Sequence, residues 1–149
     1  MVGYGDVVCR AFFDRGALIE RAISKVTPSL SLRDGDLADR AVIDRFNSLT
    51  SARNTTRYPQ ERIGYAVVAC MVASHTTDAM SLIRSKPGTS GERRLSAILL
   101  GQSPQCLGGA KKISTDTRQF RVYVADVTYF FAAAFRDVKS LIPDDAKRE

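Results

Sequence analysis

Apolar residues recur at intervals of three and four along most of this chain, which is the spacing of one face of an α-helix. The clearest run lies near the C-terminus and consists of Phe120, Val124, Val127, Phe131, Ala134, Val138 and Leu141. Residues 120–131 are rich in β-branched and aromatic side chains, as strands are, but the alternation continues to 141, which is longer than an ordinary strand. The pattern therefore predicts a long last helix that Pro143 ends.

Earlier segments show the same periodicity between helix-start and helix-stop signals. Asp6 can cap a first helix, interrupted by Gly16, that ends before Pro28. Asp34 or Asp36 can cap a second helix, which ends in the polar run 50–56.

Three further start signals follow. Pro59 suits the first position of a central helix, whose predicted apolar face is Ile63, Ala66, Val67, Cys70 and Met71. A short turn is expected over 78–83, and Thr89 with Glu92 matches a capping box for a helix that Gly101 ends. Ser103 and Pro104 are the last start signal, leading into Leu107, Ala110 and Ile113. We predict an all-α, single-domain bundle of five or six helices over 1–149.

Composition narrows the class of protein. The chain has 44% hydrophobic and 26% charged residues, as ordinary globular proteins do. The most apolar run, 66–73, is too short to span a membrane, and the N-terminus lacks the pattern of a secretory signal. Cys9, Cys70 and Cys106 are odd in number and form no C-x-x-C pair, so we expect buried free thiols, no disulfide framework and a cytoplasmic location.

Positive charge is concentrated in the middle of the chain. Residues 50–121 carry eleven basic and four acidic side chains, while the whole protein has a net charge of +6. A concentrated positive field attracts polyanions such as nucleic acids. The alternative is a solvated basic surface that only keeps the protein soluble.

The sequence offers little for catalysis. His75 is the single histidine and lies just past the central apolar stripe, where a structural role at a helix C-terminus is the simpler interpretation. No P-loop or nucleophile elbow is present, and the acidic pairs lack further metal ligands. We therefore predict no catalytic residue, no metal site and no cofactor. A small enzyme that uses His75 is the least favoured hypothesis.

The best ligand-facing segment is 86–94, where a flexible loop leads into a helix start that carries two arginines. Backbone donors, the helix dipole and guanidinium groups suit a phosphodiester backbone. Alternatively, Arg93 or Arg94 pairs with carboxylates inside the bundle. Tyr58 and Tyr123 either stack on bases or lie at the edge of the core. The predicted nucleic-acid-binding residues are Arg40, Arg53, Arg57, Lys86, Arg93, Arg94, Lys111, Lys112, Arg118 and Arg121.

Three segments occur in an order shared with a known family. They are Asp34-Gly-Asp-Leu-Ala-Asp-Arg-Ala-Val-Ile-Asp-Arg45, an apolar helix ending near His75, and Gly91-Glu-Arg-Arg-Leu-Ser-Ala-Ile-Leu-Leu100. With the aromatic C-terminal helix, this order resembles the small helical subunit of Cascade-type CRISPR interference complexes. The family's last helix often carries tryptophan, whereas this chain has Tyr129, Phe130 and Phe131 and no tryptophan, which points to a divergent subtype.

The resemblance implies a non-catalytic subunit of an RNA-guided ribonucleoprotein. Its expected partners are guide RNA or target DNA, other subunits of the complex and copies of itself, with no membrane. Arg93 and Arg94 match the family's Glu-Arg-Arg motif, and Arg40 matches its Arg-Ala motif; the other candidates rest on charge alone. A different hypothesis is a helical adaptor or chaperone that dimerises through the apolar stripe of the last helix.

Overall fold

The structure is a computed structural model that describes residues 6–26, 30–108 and 116–142. Within these residues the chain forms six α-helices and two short 3-10 turns, Asp36–Ala38 and Pro104–Cys106, and no strand. The helices are α1 (Asp6–Val26), α2 (Arg40–Thr56), α3 (Pro59–Ser74), α4 (Thr76–Arg84), α5 (Ser90–Gly101) and α6 (Thr117–Phe135). The prediction of an all-α bundle is confirmed.

Helix α6 is the centre of the bundle and packs against all five other helices. Its buried residues run almost without interruption from Phe120 to Ala134. Phe131 stacks on Phe46 of α2 with the ring centroids 3.9 Å apart. The apolar stripe is therefore occupied by the protein's own core from Phe120 to Ala134, while Val138, a later member of the stripe, is exposed.

Helix α1 crosses α6 closely at Gly16. A Cβ atom at this position would lie 2.7 Å from Cγ2 of Val122, so any larger residue would force the Val122 side chain to shift. The helix is continuous through Gly16. The glycine that weakened the helical pattern in the sequence therefore serves the packing of two helices.

Local start signals agree with the structure at some helices and not at others. Pro59 opens α3, as predicted. Thr89 caps α5, its hydroxyl accepting from the Glu92 amide, but the predicted capping box is incomplete because the Glu92 carboxylate accepts from the Gly88 amide instead. The cap of α2 is Asp39, whose carboxylate accepts from two amides of the first turn. Asp36 instead begins a 3-10 turn, and Asp34 accepts a hydrogen bond of 2.9 Å from the Thr77 amide at the start of α4.

Two predicted segments differ in the structure. Helix α3 buries Tyr65, Val68, Met71 and Val72, while Ile63 is 67% exposed, because the face that carries Tyr65 stacks toward Phe46. The start signal at Pro104 opens a 3-10 turn, Pro104–Cys106. Ala110 and Ile113 lie outside the described residues.

The last helix ends earlier than its periodicity predicts. Helix α6 stops at Phe135, and Asp137 adopts a left-handed backbone conformation with φ of 55°. The Val138 amide donates to the Ala133 carbonyl and the Asp137 amide to the Ala134 carbonyl, which is a Schellman motif. Leu141 is buried nonetheless because the chain folds back, and its amide donates to the Tyr129 hydroxyl.

Cys70 and Cys106 form a disulfide, so the expectation of free thiols is wrong for this pair. The Cα atoms are 5.6 Å apart although the residues are separated by 36 positions in the sequence. The bond joins α3 to the second 3-10 turn. The number and spacing of the cysteines did not indicate the pair because the folding of α4 and α5 brings the two residues together.

Among the described residues, no single helix is long and apolar enough to cross a membrane. Helices α3 and α4 reach the required length and apolarity only as a pair, across a bend of 105°.

Candidate functional site

The structure divides the predicted nucleic-acid-binding residues into separate groups. Lys86, Arg93, Arg94 and Arg118 are exposed. Their side chains have no ion pair with a carboxylate of the described residues. Arg40 is exposed and pairs with Asp44 one turn along α2 at 3.2 Å. Lys111 and Lys112 lie outside the described residues.

Arg121 is not available to a nucleic acid, which corrects its prediction as a binding residue. Arg121 is 4% exposed, and its guanidinium forms a bidentate ion pair with the carboxylate of Glu20 in α1, with hydrogen bonds of 2.7 and 3.1 Å. It also contacts Glu92 at 3.4 Å and donates to the carbonyls of Ile83 and Ser85. Arg121 therefore connects α6 to α1, to the end of α4 and to α5.

This buried arginine also fixes the loop between α4 and α5. The second oxygen of Glu92 accepts a hydrogen bond of 2.7 Å from the Gly88 amide. Gly88 has a positive φ of 75°, which glycine tolerates best. The side chain of Lys86 therefore projects from a loop whose backbone is held from both ends by buried groups.

A groove with an excess of positive charge lies between α1 and this loop. Two adjoining depressions of about 560 and 290 Å³ share Ala17, Glu20, Pro87 and Arg121 in their walls. We call them together the basic groove. Its exposed cations are Arg21, Arg84, Lys86 and Arg118. The carboxylates in its walls, Glu20 and Glu92, are both engaged by Arg121.

A second cluster surrounds Asp126, which is 5% exposed on α6. Its carboxylate lies 3.0 Å from Arg15 of α1, 3.4 Å from Arg53 of α2 and 3.5 Å from Arg57, which follows α2. The guanidinium of Arg57 lies 4.0 Å above the Tyr65 ring, and that of Arg53 lies 5.0 Å from the Phe130 ring. We call this group the arginine pocket.

Two donors of the arginine pocket lack hydrogen bonds. Arg53 Nη2 and Arg57 Nε are buried, and neither has a hydrogen-bond partner among the described residues. Buried polar groups are nearly always satisfied in folded proteins. The arginines here were predicted as exposed contacts, but Arg53 and Arg57 are largely enclosed, with side chains 28% and 16% exposed.

Burial controls the ionisation of this cluster. It raises the pKa of Asp126 above the ordinary value, while the charges of Arg15 and Arg57 oppose that rise. Burial also raises the pKa of the Tyr65 hydroxyl, and the nearby charge of Asp126 adds to the effect. The pKa of Tyr123, which lines the same cavity, is raised by burial and then by Glu61.

The raised pKa of Asp126 predicts a pH-dependent stability. Because the folded state binds this proton more tightly than the unfolded state, protonation of Asp126 contributes to the free energy of unfolding. This contribution is fully present below about pH 3.8, the ordinary pKa of an aspartate, and is lost as the pH rises through the pKa of the folded state. We expect the free energy of unfolding of the wild type to fall across that window relative to that of Asp126→Asn. Urea unfolding from about pH 3 to about pH 8 measures both. Parallel curves would contradict the prediction.

His75 connects three elements of the fold. Its backbone ends α3 and precedes α4, and its Nε2 lies 2.9 Å from the Gln102 carbonyl, to which it donates. This is the structural role expected from its position. Among the described residues, no three His, Cys, Asp or Glu side chains are grouped so that they could hold a metal ion.

The sequence contained one usable signal for the two buried clusters. Arg121 and Asp126 flank the apolar stripe of a helix whose other positions are also mostly apolar. A helix that is apolar all round is a buried helix, and buried charges need partners. Which residues pair with them depends on the packing of α1, α2 and α5 around α6.

The aromatic candidates have different positions. Tyr58 is 71% exposed immediately before α3, so its ring is available to a ligand. The Tyr123 ring is half-buried and lies 5.5 Å from the Phe12 ring, measured between centroids.

Comparisons with protein-family models, with curated protein sequences and with solved structures find no match to this chain.

Proposed function

We propose that this protein binds the phosphate backbone of a nucleic acid without a catalytic role, through the basic groove. The observation that supports the proposal is the set of four exposed cations in the groove, while Glu20 and Glu92, the acidic side chains in its walls among the described residues, are engaged by Arg121. Each phosphate that such a surface neutralises releases counterions, which favours binding at low salt.

The geometry of the groove suits a backbone rather than base edges. It is an open surface between a helix and a loop, and its cations are long, flexible side chains that suit the repeated phosphates of a strand. Arg93 and Arg94 extend the exposed positive charge onto the first turn of α5, whose Glu92 faces inward. Sequence-independent binding is therefore the expected mode.

A charge-reversal pair tests the groove. We expect Arg84→Glu with Lys86→Glu to weaken binding of single-stranded RNA or DNA and to reduce the slope of log affinity against log salt by about 0.7 for each phosphate that the groove no longer neutralises. Fluorescence anisotropy across a salt series measures both. Because both side chains are exposed and without ion pairs among the described residues, circular dichroism should show an unchanged fold.

The matched control changes the net charge equally at another surface. Arg62→Glu with Lys139→Glu alters two exposed cations that do not line the groove. We expect it to weaken binding only through the general field. If both pairs weaken binding equally, the groove is not the site.

The pair Arg93→Glu with Arg94→Glu tests whether α5 contributes to nucleic-acid binding. An absence of binding by the wild type at low salt would contradict the proposal itself.

The finer proposal is that the protein is the small subunit of a CRISPR RNA-guided complex in the cytoplasm. It rests on the resemblance of the motif order and on the basic groove. Its partners would be guide RNA or target DNA, other subunits and further copies of this chain. Thiols are kept reduced in the cytoplasm, so in this setting Cys70 and Cys106 would be free thiols rather than a disulfide.

Purification from the native host tests this finer proposal. We expect a tagged copy to bring with it a guide RNA and repetitive protein subunits. Recovery of the protein only as a free monomer would contradict it, while leaving the nucleic-acid binding of the isolated protein to stand on the anisotropy data.

A further inference from the structure

We propose that the arginine pocket is a binding site for a small phosphate dianion, either inorganic phosphate or the phosphate group of a small phosphomonoester. A cavity of about 280 Å³ lies against the cluster, and Arg15, Arg53, Arg57 and Asp126 all line it. The side chain of Arg15 is 51% exposed, so the cluster is reached from the surface. This site is independent of nucleic-acid binding in the basic groove.

The charges of the pocket favour an anion. Three guanidinium groups surround one carboxylate, and Glu61 also lines the cavity, so the lining carries one net positive charge. The Glu61 carboxylate accepts a hydrogen bond of 3.3 Å from the Tyr58 amide at the start of α3. Guanidinium groups bind phosphate oxygens well because their planar, paired N–H groups match the spacing of those oxygens.

The unsatisfied donors are the second observation. Arg53 Nη2 and Arg57 Nε are buried, and neither has a hydrogen-bond partner among the described residues. Arg15 and Arg53 share a single oxygen of Asp126. A buried N–H group without an acceptor is unfavourable. A phosphate in the cavity would supply up to four acceptor oxygens to the arginines that line it.

The dimensions and walls limit the ligand to a small one. Pockets for drug-sized molecules occupy about 300–1,000 Å³, so a cavity of about 280 Å³ fits a phosphate with a small attached group. Phe12 and Tyr123 form an aromatic wall beside the arginines. Along α1, Arg15 and Ile19 line this cavity, whereas Ala17 and Glu20 line the basic groove, so the helix separates the two sites.

Calorimetric titration of the full chain with inorganic phosphate and with glycerol 3-phosphate, a small monophosphate, tests the proposal. We expect binding in a chloride buffer, with an affinity for the phosphomonoester that rises as this probe becomes a dianion at about pH 6. Binding of both probes identifies phosphate itself as the ligand, and binding of the monophosphate alone identifies a phosphomonoester. If neither probe binds at millimolar concentration, or if acetate binds equally well, the proposal is overturned.

Variants locate the binding. Arg15→Gln removes one of the three cations and should weaken phosphate binding about tenfold, the effect of losing one charge-assisted hydrogen bond. Arg62→Gln changes an exposed arginine outside the cavity and should leave the affinity unchanged. Equal affinity of Arg15→Gln and the wild type would show that the cluster is only a structural ion-pair group.

A second measurement does not depend on the folding of a variant. Because a ligand that binds only the folded state stabilises it, millimolar phosphate, too dilute to act by exclusion from the protein surface, should raise the melting temperature of the wild type more than chloride does at equal ionic strength. Arg84→Glu with Lys86→Glu should retain this response, since those residues lie in the basic groove. Equal melting temperatures in phosphate and chloride would also overturn the proposal.

Discussion

Replacing Arg121 by methionine will lower the free energy of unfolding by about 3–5 kcal/mol. The side chain of Arg121 is 5% exposed and that of Glu92 is 3% exposed, so the substitution leaves a carboxylate buried without its counter-charge. Two backbone carbonyls, those of Ile83 and Ser85, lose their donor as well. Methionine preserves most of the apolar volume, so the loss reports the charge rather than a cavity.

Urea unfolding of the variant and the wild type measures this loss. Arg118→Met is the matched control, because Arg118 is exposed on the same helix and should change stability by no more than about 0.5 kcal/mol. Adding Glu92→Gln to Arg121→Met should recover part of the stability, since the buried carboxylate is then absent. If the single and double variants were equally unstable, the unpaired Glu92 carboxylate would not be the cause of the lost stability.

Reducing the bond between Cys70 and Cys106 will lower the free energy of unfolding by about 3–4 kcal/mol. The bond closes a loop over a sequence separation of 36 residues. Cross-linking a loop of this length removes conformations mainly from the unfolded chain, so reduction stabilises the unfolded state. The effect is therefore expected without any change in the folded contacts around α3.

Urea unfolding with and without dithiothreitol gives the size of this effect. Intact mass after alkylation of free thiols reports the oxidation state in each sample. Cys70→Ala with Cys106→Ala is the control, and its stability should not respond to the reductant. Equal unfolding free energies of the wild type under both conditions would mean that the bond does not constrain the unfolded chain.

The periodicity of the sequence was sufficient for the helices but not for all their ends. Pro59 and Thr89 act within one turn of chain, so their effects were predictable. The end of α6 depends on a Schellman motif at Asp137, a residue that carries no strong helix-stop signal. The four-three spacing continued to Leu141 because that residue is buried by the returning chain rather than by the helix.

For the candidate site, the sequence predicted the sign of the charge but not which basic residues are exposed. The excess of basic residues in 50–121 is visible in the sequence, and Lys86, Arg93, Arg94 and Arg118 are exposed as that interpretation requires. Arg53, Arg57 and Arg121 belong to the same excess but are directed to carboxylates in the interior. Charge along a sequence does not distinguish these groups because their partners lie up to 101 positions away.

The sequence by itself determined the all-α class, most helix positions and the net positive charge, because these depend on local periodicity, capping and composition. The tertiary structure decided which arginines are buried and which cysteines are bonded. It also decided that the stripe of α6 forms the protein's own core. These features depend on contacts between residues far apart in the chain, which are defined only once α1, α2 and α5 pack around α6.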